Sequence, residues 1–514
     1  MGNKIKNDEF GKNILNSDLN KLYEKTEFFD ETIKINKNKN NNNIKDIEYN
    51  PLISKIKSNP FQDYEIIKLL GEGTFAKVLL VKNKSNGSIR AMKEIKREED
   101  EETEDNIINE INILMKLDHP NIVKIFEFYV SERAYYLITE YCPGGSLFEF
   151  IEKNKGPFTE IQASYIMHQL FSVVNYCHKM KVIHRDIKPE NILINKNDNG
   201  FATIKVCDFG TSLKFKKGEI QDEIVGSIYY IAPEVLKKNY NAKCDIWSCG
   251  VIMYILLTGY PPFTGRDNKT IMQKIIKGEY KTEPLKKRCN ACKDLLKNLL
   301  EKDINKRIRA DIALNHKWFQ IYKSKEIRID IEDPKIIQNY INNLKNYEKS
   351  NNIIEFALAY LIHNHPELEE IDLACKLFAR IDKKGNGKIT KEELYDELNS
   401  FYKSENLKDD VNKIFGNKKY IDYEEFIRAS IDKKIFLTED CLKFAFNYFD
   451  KNGNGEINAD DICSIFSEGN LSKKEIEKAK EMIKEANKSK IEVIKFPQFC
   501  EIMRNFLMSV KYKI

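Results

Sequence analysis

The chain has 514 residues, 42% hydrophobic and 32% charged, which is too long for one core and predicts two to four soluble domains with polar extensions. A net charge of only +5 gives no basis for a nucleic-acid partner. The longest apolar run, "VIMYILLTGY" from Val251, is too short to span a bilayer and reads as a buried helix.

The first residues are polar and lysine-rich, without the apolar stretch of a secretory signal. The 11 cysteines are scattered, which suits reduced thiols in a cytoplasmic protein. Cys289 and Cys292 have C-x-x-C spacing but no second pair nearby, so they read as packing residues rather than a zinc site. Residues 1–60 are Asn- and Lys-rich and are expected to be mostly disordered. Within them Phe10, Ile14, Leu15, Leu19 and Leu22 recur at helical spacing. Gly2 suits an N-myristoyl acceptor, but Lys6 stands where Ser or Thr is wanted. No cysteine precedes Cys142, so a membrane contact would rest on one chain and be peripheral and reversible.

From residue 61 to 319 strands give way to long helices. "LLGEGTFAKVLLV" (69–81) places Gly71, Glu72 and Gly73 between two strand-like segments; such a hairpin lets backbone N–H groups approach phosphates. Ala76 stands where a third glycine is usual. The strand "IRAMKEI" carries Lys93, and a later helix with the apolar face Ile107, Ile111 and Leu114 carries Glu110. A Lys and a Glu so placed can form the ion pair that holds the α- and β-phosphates. In "VIHRDIKPENILI" (182–194), Asp186 can accept a hydroxyl proton, Lys188 can neutralise a transferring phosphoryl group, and Asn191 can bind magnesium. "VCDFG" adds Asp208 as the main magnesium ligand, with Phe209 to pack it, and "YYIAPE" (229–234) closes the activation segment.

In this order the motifs of 64–319 resemble a Ser/Thr protein kinase domain, as do Asp245, Trp247 and Gly250 in "CDIWSCG" and Arg307, which is expected to pair with Glu234. The resemblance implies a small β-rich lobe over a helical lobe with ATP in the cleft. It puts Val78 and Ala91 around the nucleotide, Thr139 as gatekeeper, and the Glu140 and Cys142 backbone against adenine. Lys188 and Ser227 fit Ser/Thr rather than Tyr substrates. Basophilic relatives carry Glu after "GG"; here "PGGSLF" has Ser146, leaving Glu190, and Glu149 as a substitute, to meet a basic substrate residue.

Residues 320–365 read as a helical junction, with apolar positions Ile336, Ile337, Tyr340, Ile341 and Leu344, then Ile353, Ile354, Ala357, Leu358 and Leu361. From 366 to 514 come four helix–loop–helix repeats centred on Ile389, Ile421, Ile457 and Ile494. Their loops follow the twelve-residue EF-hand plan, in which calcium takes oxygens from positions 1, 3, 5, 7, 9 and 12. The first offers Asp382, Asn386, the Lys388 carbonyl, Thr390 and Glu393, but has Lys384 at position 3, so a weakened calcium site is expected, with the ammonium in solvent. The second, 414–425, keeps only Glu425 and should not bind. The third offers Asp450, Asn452, Asn454, the Glu456 carbonyl and Asn458, and ends in Asp461, whose shorter reach favours magnesium or weaker calcium binding. The fourth, 487–498, has no acid at either end.

Kinase, junction and four EF-hands in this order resemble the calcium-dependent protein kinases of plants and protists. The expected fold class is α+β: a two-lobed kinase domain, a helical junction and an all-α calmodulin-like domain. The resemblance implies ATP, Mg2+ and Ca2+ as cofactors and protein Ser/Thr hydroxyls as substrates. It also implies a junction that occupies or props the cleft without calcium and is bound by the EF-hand domain with it. A catalytically weak calcium-sensing scaffold is the competing reading.

Overall fold

A computed structural model describes residues 53–56, 59–72, 76–97, 101–131, 134–198, 201–216, 218–323, 334–347, 353–366, 368–401, 406–466, 473–487 and 493–509. Gly73, Gly2 and the apolar positions 10–22 lie outside these residues.

The small lobe is a six-stranded sheet in the order β1-β5-β6-β4-β3-β2, with β1 Ser54–Ile56, β2 Tyr64–Glu72, β3 Ala76–Asn83, β4 Ile89–Lys96, β5 Ile125–Val130 and β6 Ala134–Glu140. Four of its pairings are antiparallel; β1 runs parallel to β5, with Ser54 opposite Glu127 and Ile56 opposite Tyr129. This short strand lies at the end of the stretch expected to be mostly disordered. Ile53 is buried in the kinase core, so that turn of chain removes apolar area from water and satisfies one edge of the sheet.

One helix, Glu101–Leu114, leans on the sheet and buries Ile107, Ile111 and Leu114. The large lobe is built on two helices. Glu160–Lys179 starts with a capping box between Thr159 and Gln162, which satisfies two otherwise unpaired helix donors. Lys243–Thr258 holds the apolar run read from Val251, is buried on all sides, and ends at Gly259, whose φ of 87° few other residues tolerate.

The junction forms two helices, Pro334–Lys345 and Ile353–Asn364. Their apolar faces, Ile337, Tyr340, Ile341 and Leu344, then Ile353, Leu358 and Leu361, join one core with the EF-hand helices. Four helix–loop–helix units follow, beginning at Glu369, Leu407, Glu439 and Lys473. The region is not purely helical: short strands couple the loops in pairs, Ile389 opposite Ile421 and Ile457 opposite Ile494. These are the four repeat-centre isoleucines, all buried.

The EF-hand and kinase regions touch. His363 meets the Ile125 carbonyl at 3.0 Å and the Phe126 ring edge-on, Arg90 donates to the Asn364 carbonyl, and Lys196 pairs with Asp372 at 2.7 Å. The junction end therefore seats on the β5 side of the small lobe.

Candidate active site and calcium loops

β4 presents Lys93 opposite Val78 on β3 and Leu137 on β6, and the neighbouring helix brings up Glu110. Lys93 Nζ lies 2.9 Å from Glu110 Oε1 and 3.0 Å from Asp208 Oδ1. Burial pulls the Lys93 pKa down, but the two carboxylates more than offset this and hold it above the usual lysine range. Burial likewise pushes Asp208 up, and Lys93 outweighs it, so Asp208 sits below the ordinary carboxylate range. Asp208 occupies a left-handed backbone position, φ 61°, which costs a non-glycine residue about 1–3 kcal/mol and is held by the packing around it. Phe209 is fully buried beneath it, against the His184 ring.

The catalytic loop is fixed from below by buried Asp245, whose carboxylate accepts from the backbone N–H of His184 (3.0 Å) and Arg185 (2.9 Å). Asp186 Oδ1 accepts from the Ser227 hydroxyl (2.9 Å) and backbone N–H (3.0 Å), and Lys188 Nζ lies 2.8 Å from Asp186 Oδ2. Lys188 also donates to Ser227 (3.0 Å). The Asn191 amide donates to the Asp186 carbonyl (2.9 Å), which leaves its Oδ1 for a metal ion. Asp186, Lys188 and Asn191 form one bonded group and Lys93, Glu110 and Asp208 another; Cys207 N, beside Asp208, donates to the Asn191 carbonyl (2.9 Å) and ties the two together, and Asp208 opens to the cleft. Such a set fits ATP with Mg2+: a positioned proton acceptor, two cations for phosphate oxygens, and two oxygen ligands for a hard ion.

The remaining nucleotide residues ring this set. Gly71 and Glu72 lie in the β2–β3 hairpin, Gly71 opposite Val78, and Glu72 pairs with Lys77 at 3.2 Å. Val78 and Ala91 are half-buried. Glu140 turns its side chain away from the cleft onto Lys205, 2.8 Å, so only its backbone can face adenine; Cys142 is buried behind it. Arg307 forms the expected buried bidentate pair with Glu234, with Nη2 2.8 Å from Oε2. Glu149 is drawn to Lys153 at 3.3 Å on an exposed helix turn, which weakens it as a stand-in for the missing acid after "GG". Cys289 caps a helix and contacts Glu160 (3.0 Å), and Cys292 is buried; both serve packing.

Arg185, which precedes the catalytic Asp, donates to the Thr211 carbonyl, to Glu223 (2.8 Å) and to the Tyr240 hydroxyl (3.4 Å). A carboxylate from the activation segment therefore fills the pocket where many kinases place a phosphate. Tyr240 carries no sequence signal for this role.

In the first calcium loop the buried Asp382 accepts from the N–H of Asn386 (3.2 Å) and Gly387 (2.7 Å), and buried Glu393 accepts from Thr390 Oγ1 (2.8 Å). Burial, with a contribution from the Glu393 charge, pushes the Asp382 carboxyl up to about 6. Two buried carboxylates converging with Asn386, Thr390 and the Lys388 carbonyl fit a cation. Lys384 is half-exposed, yet its ammonium is 3.6 Å from Glu393 Oε2 rather than wholly in solvent, so it competes with an ion. In the second loop Lys418 contacts Glu425 directly. In the third, Asp450 accepts from Asn454 N (3.0 Å) and Gly455 N (2.8 Å), Asn452 donates to Asp461 (3.1 Å), and Asn458 N donates to the same carboxylate (3.0 Å). Glu456 N donates to Asn454 (2.9 Å), fixing the turn that presents the Glu456 carbonyl. Among the described residues no three His, Cys, Asp or Glu side chains converge, so both loops rely on two carboxylates plus neutral oxygens.

Fold and site define a two-lobed protein kinase joined to an EF-hand region. Residues 64–319 match the protein kinase domain family, and 376–398 and 442–462, the first and third loops, match the EF-hand family. The chain is 35% identical to calcium-dependent protein kinase 4 of Plasmodium berghei and to that of Plasmodium falciparum, over 86% of this chain and 86% of each relative. It is also 35% identical to calcium-dependent protein kinase 5 of Plasmodium falciparum, over 86% of this chain and 78% of that one. The chain belongs to the calcium-dependent protein kinase family: a calcium-activated Ser/Thr protein kinase, with ATP and Mg2+ at the catalytic site and Ca2+ at its EF-hands.

Proposed function

We propose that the calcium-loaded EF-hand region holds the junction helices 334–364 away from the catalytic cleft, and that on calcium release these helices turn into the cleft and block it. The observation that carries this reading is a coincidence. The junction is buried among EF-hand helices and seated on β5, while Lys93–Glu110 and Lys93–Asp208 are both closed, as catalysis requires. ATP supplies the phosphoryl group and Mg2+ neutralises its charge. Within that frame Asp186 accepts the proton of a Ser or Thr hydroxyl, Lys188 offsets charge on the transferred group, Lys93 positions phosphate oxygens, and Asn191 and Asp208 hold the metal.

The location proposed is cytoplasmic, which the 11 free thiols support. Among the described residues no helix is long and apolar enough to cross a membrane, so membrane contact is peripheral in this reading.

The test is hydrogen exchange of the full chain alongside a peptide kinase assay, with calcium and with chelator. Calcium should raise activity at least tenfold and protect 353–364. Equal exchange of that helix in the two states, with activity still switched, would sink the junction as the moving part.

A further inference from the structure

The two loops that match the EF-hand family share a design but not an environment. In the third, Gly453 (φ 69°) and Gly455 (φ 81°) face open space: a Cβ on either would meet nothing within 4 Å. In the first, the equivalent glycines are packed on the kinase helix Glu160–Lys179. A Cβ on Gly385 would lie 2.7 Å from Leu314 and 3.2 Å from Ser172, and one on Gly387 2.8 Å from the Tyr176 ring. Between them Asn175, itself buried, donates to the Lys384 carbonyl and the Gly385 carbonyl, each at 2.8 Å. One amide nitrogen thereby satisfies the backbone at loop positions 3 and 4.

Ser172, Asn175 and Tyr176 lie three and four residues apart, so they share one face of their helix. The same face reaches the segment 118–121 on its other side. The Tyr176 hydroxyl accepts from Asp118 N (3.0 Å), and the Ser172 hydroxyl meets His119 Nε2 (3.0 Å). That segment connects the helix bearing Glu110 to β5.

We propose that the first calcium loop is itself the element by which the EF-hand region grips the kinase: Asn175 recognises the turned backbone of Lys384–Gly385, so docking and calcium affinity are linked at loop one and not at loop three. The unusual residue at position 3 fits this arrangement. Lys384 lays its half-exposed side chain back toward Glu393, 3.6 Å from Oε2, while its carbonyl is the interface atom. Whatever holds the loop in its turned form lowers the ordering cost of ion binding there, and the coupling is reciprocal. The inference rests on the reading that the docked form is the calcium-loaded one.

The test is calcium titration by calorimetry of the full chain, with Asn175→Ala beside the wild type, thermal melting as a folding check, and hydrogen exchange of 382–393. Asn175→Ala removes both donors and should weaken one of two calcium sites about tenfold, leave the other unchanged, and speed exchange in the first loop. In a Glu393→Gln background, where loop one is already lost, Asn175→Ala should change no remaining affinity. A second pair keeps the idea testable if Asn175→Ala folds poorly. Gly385→Ala and Gly453→Ala impose the same backbone strain, but only the former should detach the domains. Unchanged affinities, or equal weakening of both sites, overturn the inference. A tighter first site means that the docked form is the calcium-free one, and overturns the underlying reading instead.

Discussion

Replacing Glu223 by Gln removes one charge from the pocket around Arg185 and little else. The Arg185 side chain is 9% exposed and ties the catalytic loop to Thr211, Glu223 and Tyr240, whereas the Glu223 side chain is 50% exposed. Exposed ion pairs are worth about 0.2–1 kcal/mol, and breaking a buried pair costs about 3–5 kcal/mol. With one partner buried and the other half in water, solvent screening puts this loss between the two ranges, about 1–2 kcal/mol. At about 1.4 kcal/mol per tenfold, the equilibrium between the docked and released activation segment shifts roughly five- to thirtyfold. A segment already well docked gives up only part of this in rate, so a three- to tenfold fall in initial velocity is expected. The assay uses protein made in bacteria, treated with phosphatase, and started with saturating calcium, ATP and a Ser/Thr peptide. Residues 213–226 contain no Ser, Thr or Tyr, so nothing inside that stretch can be phosphorylated instead. The wild type should reach full rate without a lag. A wild type silenced by phosphatase, or a Glu223→Gln rate equal to wild type, would refute the permanent-charge argument.

Asp186→Asn should keep ATP affinity within a few-fold and lower turnover by about 10²–10⁴, because it removes the proton acceptor while keeping its shape; comparable turnover in single-turnover assays would overturn the assignment. Full-length protein should titrate two calcium ions, one lost with Glu393→Gln and the other with Asp450→Ala, and three or four ions would contradict the reading of the second and fourth loops. Asp461→Glu should shift the third loop toward calcium over magnesium by restoring bidentate reach. Burial, with nearby Lys205, lowers the His119 pKa to about 3, so His119 folds neutral. Its contribution is complete above the unfolded value near 6.5 and is lost as pH falls from there toward 3, with a slope of about 1.4 kcal/mol per pH unit. His119→Asn should flatten the fall in melting temperature between pH 6.5 and 4; an unchanged slope would remove His119 from the account.

The catalytic site was legible because its chemistry is written in short contiguous words. Asp186, Lys188 and Asn191 span six residues, and their roles need only a turn and one strand pair to hold them. The calcium ligands are legible for the same reason. What the sequence hides is contact between segments far apart in the chain. Ser54–Ile56 is too short to show a strand period, and its asparagine- and lysine-rich surroundings mask it; only β5, some seventy residues on, makes it a strand. Asn175 reads backbone carbonyls more than two hundred residues away, and backbone atoms carry no residue code. The second loop shows how both kinds of information combine. Sequence alone finds Lys418 where an oxygen ligand belongs and scores the loop as lost. The structure places that ammonium on Glu425, the position-12 carboxylate, while Ile421 stays paired with Ile389 of the first loop. A fixed cation thus sits where an exchangeable one would act. The strand that pairs Ile421 with Ile389 lies between Lys418 and Glu425, so this internal ion pair braces the loop around the strand it offers to the first loop.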